Sequence, residues 1–252
     1  MYNYIQTEEQ QHAYQTNNRV KNHKVRRILR TFLHTMTEDY RRILNYYGKH
    51  LLMTDSSDSR FVGWSSRDTQ KNRWDQLVLD HNLDNCSVLD VGCGVGDFFG
   101  YLQKYSNVSY VGIDINTIMI REAARKYPDT TFLNGPLSRL AEYGVGGVSD
   151  KWDYVFASGV FTVKVDENIA HLKKGIEHMC DLAKKHVAFN FLDDTTEWKY
   201  RDPGLCYYNR DDLLNHVKDK WDGYLVTGYE NEESDSTIHI RLQSCKNHPK
   251  AS

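Results

Sequence analysis

Ser87-Val88-Leu89-Asp90-Val91-Gly92-Cys93-Gly94-Val95-Gly96-Asp97 is the stretch on which the reading of this chain turns. A short apolar run, Val88 to Val91, stops abruptly at glycines 92, 94 and 96, and an amphipathic segment, Phe98 to Tyr105, follows at once. The pattern predicts a buried parallel strand, a tight turn, and a helix whose first N–H groups look out over the turn. Glycines leave the backbone bare, so a ligand can approach where any Cβ would stand in the way. Roughly 20 residues on, a second apolar run, Val108 to Ile113, ends in Asp114. An acid at that place can accept hydrogen bonds from both hydroxyls of a ribose.

The spacing Gly92-x-Gly94-x-Gly96 departs from the G-x-G-x-x-G of a dinucleotide fingerprint. Asp90 lies inside the strand before the turn, and Asp97 follows its last glycine. Carboxylates so placed repel a diphosphate and attract a ligand bearing a sulfonium and an α-amino group. Leu89 to Gly96 match without a gap the motif written LDVGCGxG, and on these residues the chain resembles the class I S-adenosylmethionine-dependent methyltransferases over about residues 60–243. A nicotinamide site, or a ligand-free domain of the same build, is the alternative. The resemblance implies S-adenosylmethionine as cofactor and an α/β fold: a seven-stranded Rossmann-like sheet, mostly parallel, ending in an antiparallel hairpin. It also implies that Gly92, Cys93, Gly94 and Gly96 line the cofactor, with Asp90, Asp97, Asp114 and Ile115 around them.

At 252 residues the chain has room for one α/β domain and an extension, and a mean hydropathy of −0.67 points to polar surface. Its 32 basic and 34 acidic side chains leave a net charge of −2, which directs it to neither nucleic acid nor membrane. No apolar run approaches the ~18 residues of a membrane span, and the first residues lack the core of a signal peptide. The five cysteines are scattered without a C-x-x-C pair, which argues against a disulfide framework or a zinc site and for a cytoplasmic location.

Residues 1–60 read as an N-terminal helical extension, 61–243 as the main domain and 244–252 as a loose tail. Apolar positions 25, 28, 29, 32, 33 and 36 form a helical stripe, and a second helix carries Tyr40, Ile43, Leu44 and Tyr47 and is expected to stop at Gly48. Arg19, Lys21, Lys24, Arg26, Arg27 and Arg30 are either a nucleic-acid arm or the solvated face of that first helix. Ser65 or Ser66 should cap a helix with Trp74, Leu77 and Val78 on its buried side. The resemblance makes Arg73 the partner of the cofactor's carboxylate, a task suited to a permanently charged, bidentate guanidinium, with Gln70 a lesser candidate. Trp64 would cover the ligand or simply pack.

Beyond Asp114, Asn116 to Tyr127 is expected to be helical, with Ile118, Met119, Ala123 and Ala124 inward. A strand over Thr130 to Leu133 leads to Asn134, Gly135 and Leu137, which by resemblance approach the adenine. A fourth strand, Asp153 onward, delivers Ser158, Gly159 and Phe161 to the carboxyl edge of the sheet, where such sheets bind ligands. Asn168 to Lys185 reads as a helix, and His186 to Leu192 as a strand buried on both faces, ending at Asp193 and Asp194. The aromatic stretch with Trp198, Tyr200, Tyr207 and Tyr208 is assigned to substrate, with loop packing as the plain alternative. Tyr224 to Tyr229 and Thr237 to Leu242 form the terminal hairpin about an acidic turn, Glu230 to Asp235.

Methyl transfer is an in-line displacement on an already activated carbon, so no catalytic triad is needed, and none is found. None of the eleven histidines is tied to the active face. The Asn/Asp-Pro-Pro-Tyr/Phe tetrapeptide of amino-methylating DNA enzymes is missing after the fourth strand, where Ala157-Ser-Gly-Val160 stands, and no Pro-Cys pair occurs. A small-molecule acceptor is therefore expected. The alternatives are RNA or DNA modification through residues 19–30, or an enzyme using another part of S-adenosylmethionine.

Overall fold

The computed structural model describes residues 38–53, 59–63, 65–143, 151–229 and 232–242. The chain divides into two compact units, residues 1–41 and 42–252. The basic stretch at 19–30, Trp64 and the tail lie outside the described residues.

In chain order the elements are α1 (Glu38–Met53), a 3-10 turn (Ser59–Val62), α2 (Arg67–Leu77), β1 (Ser87–Val91), α3 (Asp97–Leu102), β2 (Ser109–Asp114), α4 (Thr117–Lys126), β3 (Thr131–Asn134) and α5 (Leu137–Tyr143). They continue with β4 (Trp152–Ala157), α6 (Asn168–Leu182), β5 (Ala183–Leu192), a 3-10 turn (Trp198–Tyr200), α7 (Arg210–Lys218), β6 (Asp222–Tyr229) and β7 (Glu232–Arg241). The seven strands form one sheet in the order β3-β2-β1-β4-β5-β7-β6. The first five run parallel, and β7 lies antiparallel between β5 and β6. The order reverses between β1 and β4, which is where an open parallel sheet leaves a crevice beyond its strand ends.

Both faces of the sheet are covered. Leu89, Val91, Val155, Val187 and Phe189 point to one side and pack with Leu172, Ile176 and Met179 of α6. Val88, Phe156 and Ala188 point to the other and meet Trp74 and Leu77 of α2 and Phe98 and Leu102 of α3. This alternation along unbroken apolar strands is the signature of a doubly covered sheet.

Local chemistry accounts for some helix starts. Ser66 caps α2, its hydroxyl accepting from the Thr69 amide while Thr69 answers back to the Ser66 amide. Asn116 caps α4 by accepting from Ile118 and Met119. Three expectations are corrected. Helix α1 runs through Gly48 to Met53, because an interior glycine costs only about 1 kcal/mol against alanine and Leu51-Leu52-Met53 favour helix. The inward face of α4 is Met119, Ile120 and Ala123, while Ile118 and Ala124 are exposed, a rotation set by the sheet beneath it. Helix α6 stops at Leu182 and passes directly into β5, so residues 183–185 are strand.

Asp235, read as part of an acidic turn, is strand residue opposite Leu192 and 2% exposed. The described cysteines, 86, 93, 180 and 206, are all free thiols. No described helix is long and apolar enough to cross a membrane.

Candidate cofactor site

The turn after β1 holds Gly92, Gly94 and Gly96 at φ of +71°, +54° and +78°, backbone that side-chain-bearing residues rarely adopt. Space around it is also short. A Cβ on Gly92 would lie 2.4 Å from Val160 Cγ2, one on Gly96 2.9 Å from Phe132 Cζ, and one on Gly94 3.1 Å from Val62 Cγ1. The turn is thus enclosed by the exit of β4, by β3 and by the 3-10 turn before α2. Cys93 is buried against Gly112 of β2, and burial pushes its thiol well above the ordinary range. It is a packing residue of the turn.

Asp114 reaches from the tip of β2 to this turn. One carboxylate oxygen accepts from the Gly94 amide at 3.0 Å, and the other from the Asn116 amide at 2.7 Å. The Ile115 amide also bonds this carboxylate, so of its about four acceptor sites about one remains for a ribose hydroxyl. Ile115 follows half-buried. Across the strand end, the Gly135 amide donates to the Asp114 carbonyl at 2.9 Å, and a Cβ on Gly135 would meet nothing within 4 Å among the described residues. Open space beside a half-buried acid fits a ribose and its base. Asn134 donates to the Asp114 carbonyl (3.0 Å) and accepts from Thr117 (2.9 Å), so its side chain braces β2 against β3. Leu137 is half-buried against the core.

Two acids flank the turn in different states. Asp90 is 2% exposed and accepts from the Tyr110 hydroxyl at 2.6 Å. Burial raises its pKa to about 7, the Tyr110 bond opposes the rise, and the charge of Asp114 adds to it. Asp114 is itself raised, again by burial, against the pull of its backbone amides. Asp97, by contrast, is buried at the start of α3 and already ion-paired with Lys126 and with Arg67 (3.3 Å).

Arg73 already has partners. Its guanidinium pairs with Asp235 of β7 inside the protein and donates to the Thr69 carbonyl at 3.0 Å. Gln70, one turn earlier, is 2% exposed, and its Oε1 is buried without a hydrogen bond.

At the exit of β4, Gly159 donates its amide to Asn190 Oδ1 at 2.8 Å, and Asn190 also approaches Ser158 Oγ at 3.4 Å. The Gly159 carbonyl accepts from Thr162 Oγ1 at 2.8 Å and lies 3.5 Å from the Tyr47 hydroxyl. Tyr47 comes from α1, and its ring is 3.3 Å from where a Gly63 Cβ would stand. Its phenol is pushed above the ordinary range, first by burial and then by the charge of Asp114. Tyr47, Val62, Thr162 and Asn190 therefore belong to the surroundings of the turn, although no motif marks them. The one signal available was Tyr47 on the inward stripe of an amphipathic helix.

Several of the residues expected on the substrate side are held in internal contacts. Phe161 is packed beneath α6, where it fills the space of a Gly175 side chain, and its carbonyl accepts from the Tyr208 hydroxyl at 2.9 Å. Asp193 is fully buried and accepts from Ser236 Oγ (2.6 Å) and the Thr195 amide (3.0 Å). Tyr207 is half-buried, its hydroxyl accepting from the Asp202 amide at 3.1 Å under the Arg201 guanidinium. These contacts brace the loop. Trp198 and Tyr200 are 83% and 72% exposed. Beside α1 a cleft of about 540 Å³ opens, lined among others by Arg42, Tyr46, Lys49, Lys164 and Asp166.

A sheet in the order 3-2-1-4-5-7-6, with a bare three-glycine turn after its first strand and an acid bonded to that turn from its second, is the arrangement expected of a class I S-adenosylmethionine-dependent methyltransferase fold, and the middle of the chain matches such a domain. Residues 89–186 match the methyltransferase domain family. The chain is 30% identical over 105 residues to arsenite methyltransferase of Mus musculus, a match covering 36% of this chain and 27% of that one. It is 29% identical over 82 residues to trans-aconitate 2-methyltransferase of Afipia carboxidovorans, covering 32% of each. The chain therefore spans less than a third of the length of the curated relatives it matches. Its fold is similar to that of an N-methyltransferase of Bradyrhizobium japonicum, solved with S-adenosyl-L-homocysteine. That likeness has a TM-score of 0.56 at 13% identity, over 78% of this chain and 96% of that one. A protein of Pyrococcus horikoshii OT3 gives a TM-score of 0.57 at 15% identity, over 77% and 99%.

Proposed function

We propose that the protein transfers the methyl group of S-adenosylmethionine to a small-molecule acceptor. The observation that carries the cofactor half is electrostatic. Asp90 and Asp114 flank the same turn, and the charge of Asp114 adds to the cost that burial already sets on charging Asp90. A cationic ligand relieves that repulsion and a diphosphate aggravates it. When bound, the cofactor supplies an electrophilic methyl on sulfur. The chain's own work is positional. Asp114 holds the ribose, the bare turn admits the amino-acid arm, and Tyr47, Phe61 and Val62 shield the turn from water.

The cleft beside α1 supports the acceptor half. Its volume of about 540 Å³ lies in the range of small-ligand sites, and it borders residues 163–168, directly after the loop that carries Gly159. Arg42 pairs with Asp166 in this cleft, and Lys49 and Lys164 add net positive charge to its rim, which favours an acceptor carrying an acidic group. Arsenite and trans-aconitate, the acceptors in the names of two partial relatives, are likewise small and anionic-capable. Incubation with S-adenosylmethionine and a panel of small acids, read by mass spectrometry, tests the reading. S-adenosylhomocysteine together with a methylated acid is the expected product pair. Methylthioadenosine instead, or turnover with RNA alone, would remove it.

A further inference from the structure

At the opposite edge of the sheet from the glycine turn, three histidines from three elements converge. His81 follows α2, His186 lies near the start of β5, and His239 lies on β7. His186 Nε2 and His239 Nδ1 are 3.0 Å apart. The ring centroids of His81 and His186 are 4.2 Å apart, and one nitrogen of each of the three rings lies within 4.8 Å of the others. His186 is 3% exposed and His239 fully buried. Nε2 of His81 is buried without a hydrogen-bond partner among the described residues. A buried imidazole nitrogen left unbonded is costly unless something else satisfies it. The walls are built as well: Tyr224 stacks on His239 at 4.7 Å, and Tyr154 lies against His81 at 5.2 Å.

We propose that His81, His186 and His239 form a structural zinc site, with water as the fourth ligand. Zn–N bonds of about 2.0–2.1 Å in a tetrahedron set ligand nitrogens roughly 3.3 Å apart, close to the separation already present between His186 and His239. His81 is the half-buried member, on the short connection between α2 and β1, and its ring turns to complete the set. An all-imidazole donor set favours zinc over the oxygen-seeking calcium and magnesium. The charged neighbours are Asp80, which favours a cation, and Arg241, which opposes one. Arg241 is drawn off by Asp222 (3.5 Å) and by the face of Tyr224 (4.5 Å). Bound metal would tie the end of α2 to β5 and β7. It lies away from the glycine turn, so its role is independent of methyl transfer.

The test uses the full chain, stripped with chelator and titrated with Zn²⁺ alone. Metal analysis after desalting should give about one zinc per chain, with a rise in Tm. Co²⁺ should give the intense visible absorption of a tetrahedral nitrogen site. His81→Ala, at the half-buried position, should fold with unchanged circular dichroism yet lose both the uptake and the Tm rise. His239→Gln should do the same where it folds. Substoichiometric zinc in the wild type, or full uptake by His81→Ala, would overturn the site. Affinity for S-adenosylhomocysteine is expected to be the same with and without zinc, so this outcome stands apart from the fate of the proposed activity.

Discussion

Asp114 does two jobs with one side chain: it braces the glycine turn through Gly94 and offers its remaining acceptor capacity to a ribose. Asp114→Ala should weaken binding of S-adenosylhomocysteine by about 1–3 kcal/mol, measured by calorimetry. Unchanged affinity would sink the ribose assignment. Asp90 makes a pH prediction. Its folded pKa is raised to about 7, so it is largely neutral at pH 6 and a carboxylate at pH 8. A sulfonium gains from that carboxylate, whereas the thioether of S-adenosylhomocysteine does not. The ratio of S-adenosylmethionine to S-adenosylhomocysteine affinity should therefore rise by up to about tenfold from pH 6 to pH 8. Asp90→Asn should flatten it; a ratio that stays level in the wild type would contradict the assignment. Tyr110 and Asp114 tune this group in opposite senses, and removing the Tyr110 hydroxyl (Tyr110→Phe) should shift the rise to higher pH.

Between elements, the β1–α3 turn and the α2–β7 contact carry separate risks. Gly92→Ala meets Val160 and a left-handed backbone together. The backbone part alone is worth about 1–3 kcal/mol, so Gly92→Ala with Val160→Ala should regain the steric loss and not the rest, as read by urea denaturation. Full recovery in the double variant would mean the turn is not strained by a side chain. Arg73 and Asp235 pin α2 to β7 inside the protein. Arg73→Met should cost about 3–5 kcal/mol by stranding a buried carboxylate, and adding Asp235→Leu should restore most of it. If the double variant instead keeps its stability and loses affinity for S-adenosylhomocysteine, Arg73 serves the cofactor after all. The sequence pointed to Arg73 by its spacing before β1, but no spacing discloses that an acid 162 positions later returns beside it. The same blindness hid Tyr47 and Asn190, whose partners at Gly159 lie far along the chain.

For the molecule as a whole, stability rests on the two covered faces of the sheet. Leu172→Ala, at a fully buried position of α6, should cost about 2–5 kcal/mol in chemical denaturation. Trp198→Ala, at an exposed position of the aromatic loop, should stay within about 0.5 kcal/mol. A large loss at Trp198 would show that the loop packs against something beyond this chain's own fold.

What the sequence determined by itself was local and periodic: the unbroken apolar strands, the bare turn after β1, the acid at the tip of β2, a serine cap at 65 or 66 before α2, and the closing hairpin. Each is written in neighbouring residues, so composition and spacing suffice to read it. What tertiary structure decided were pairings between distant residues. It took Arg73, Asp97, Asp193 and Phe161 into internal contacts, brought Tyr47 to the turn, and gathered three scattered histidines at the far edge of the sheet. Such meetings depend on how a parallel sheet folds the chain back on itself, and that lies beyond the reach of any local pattern.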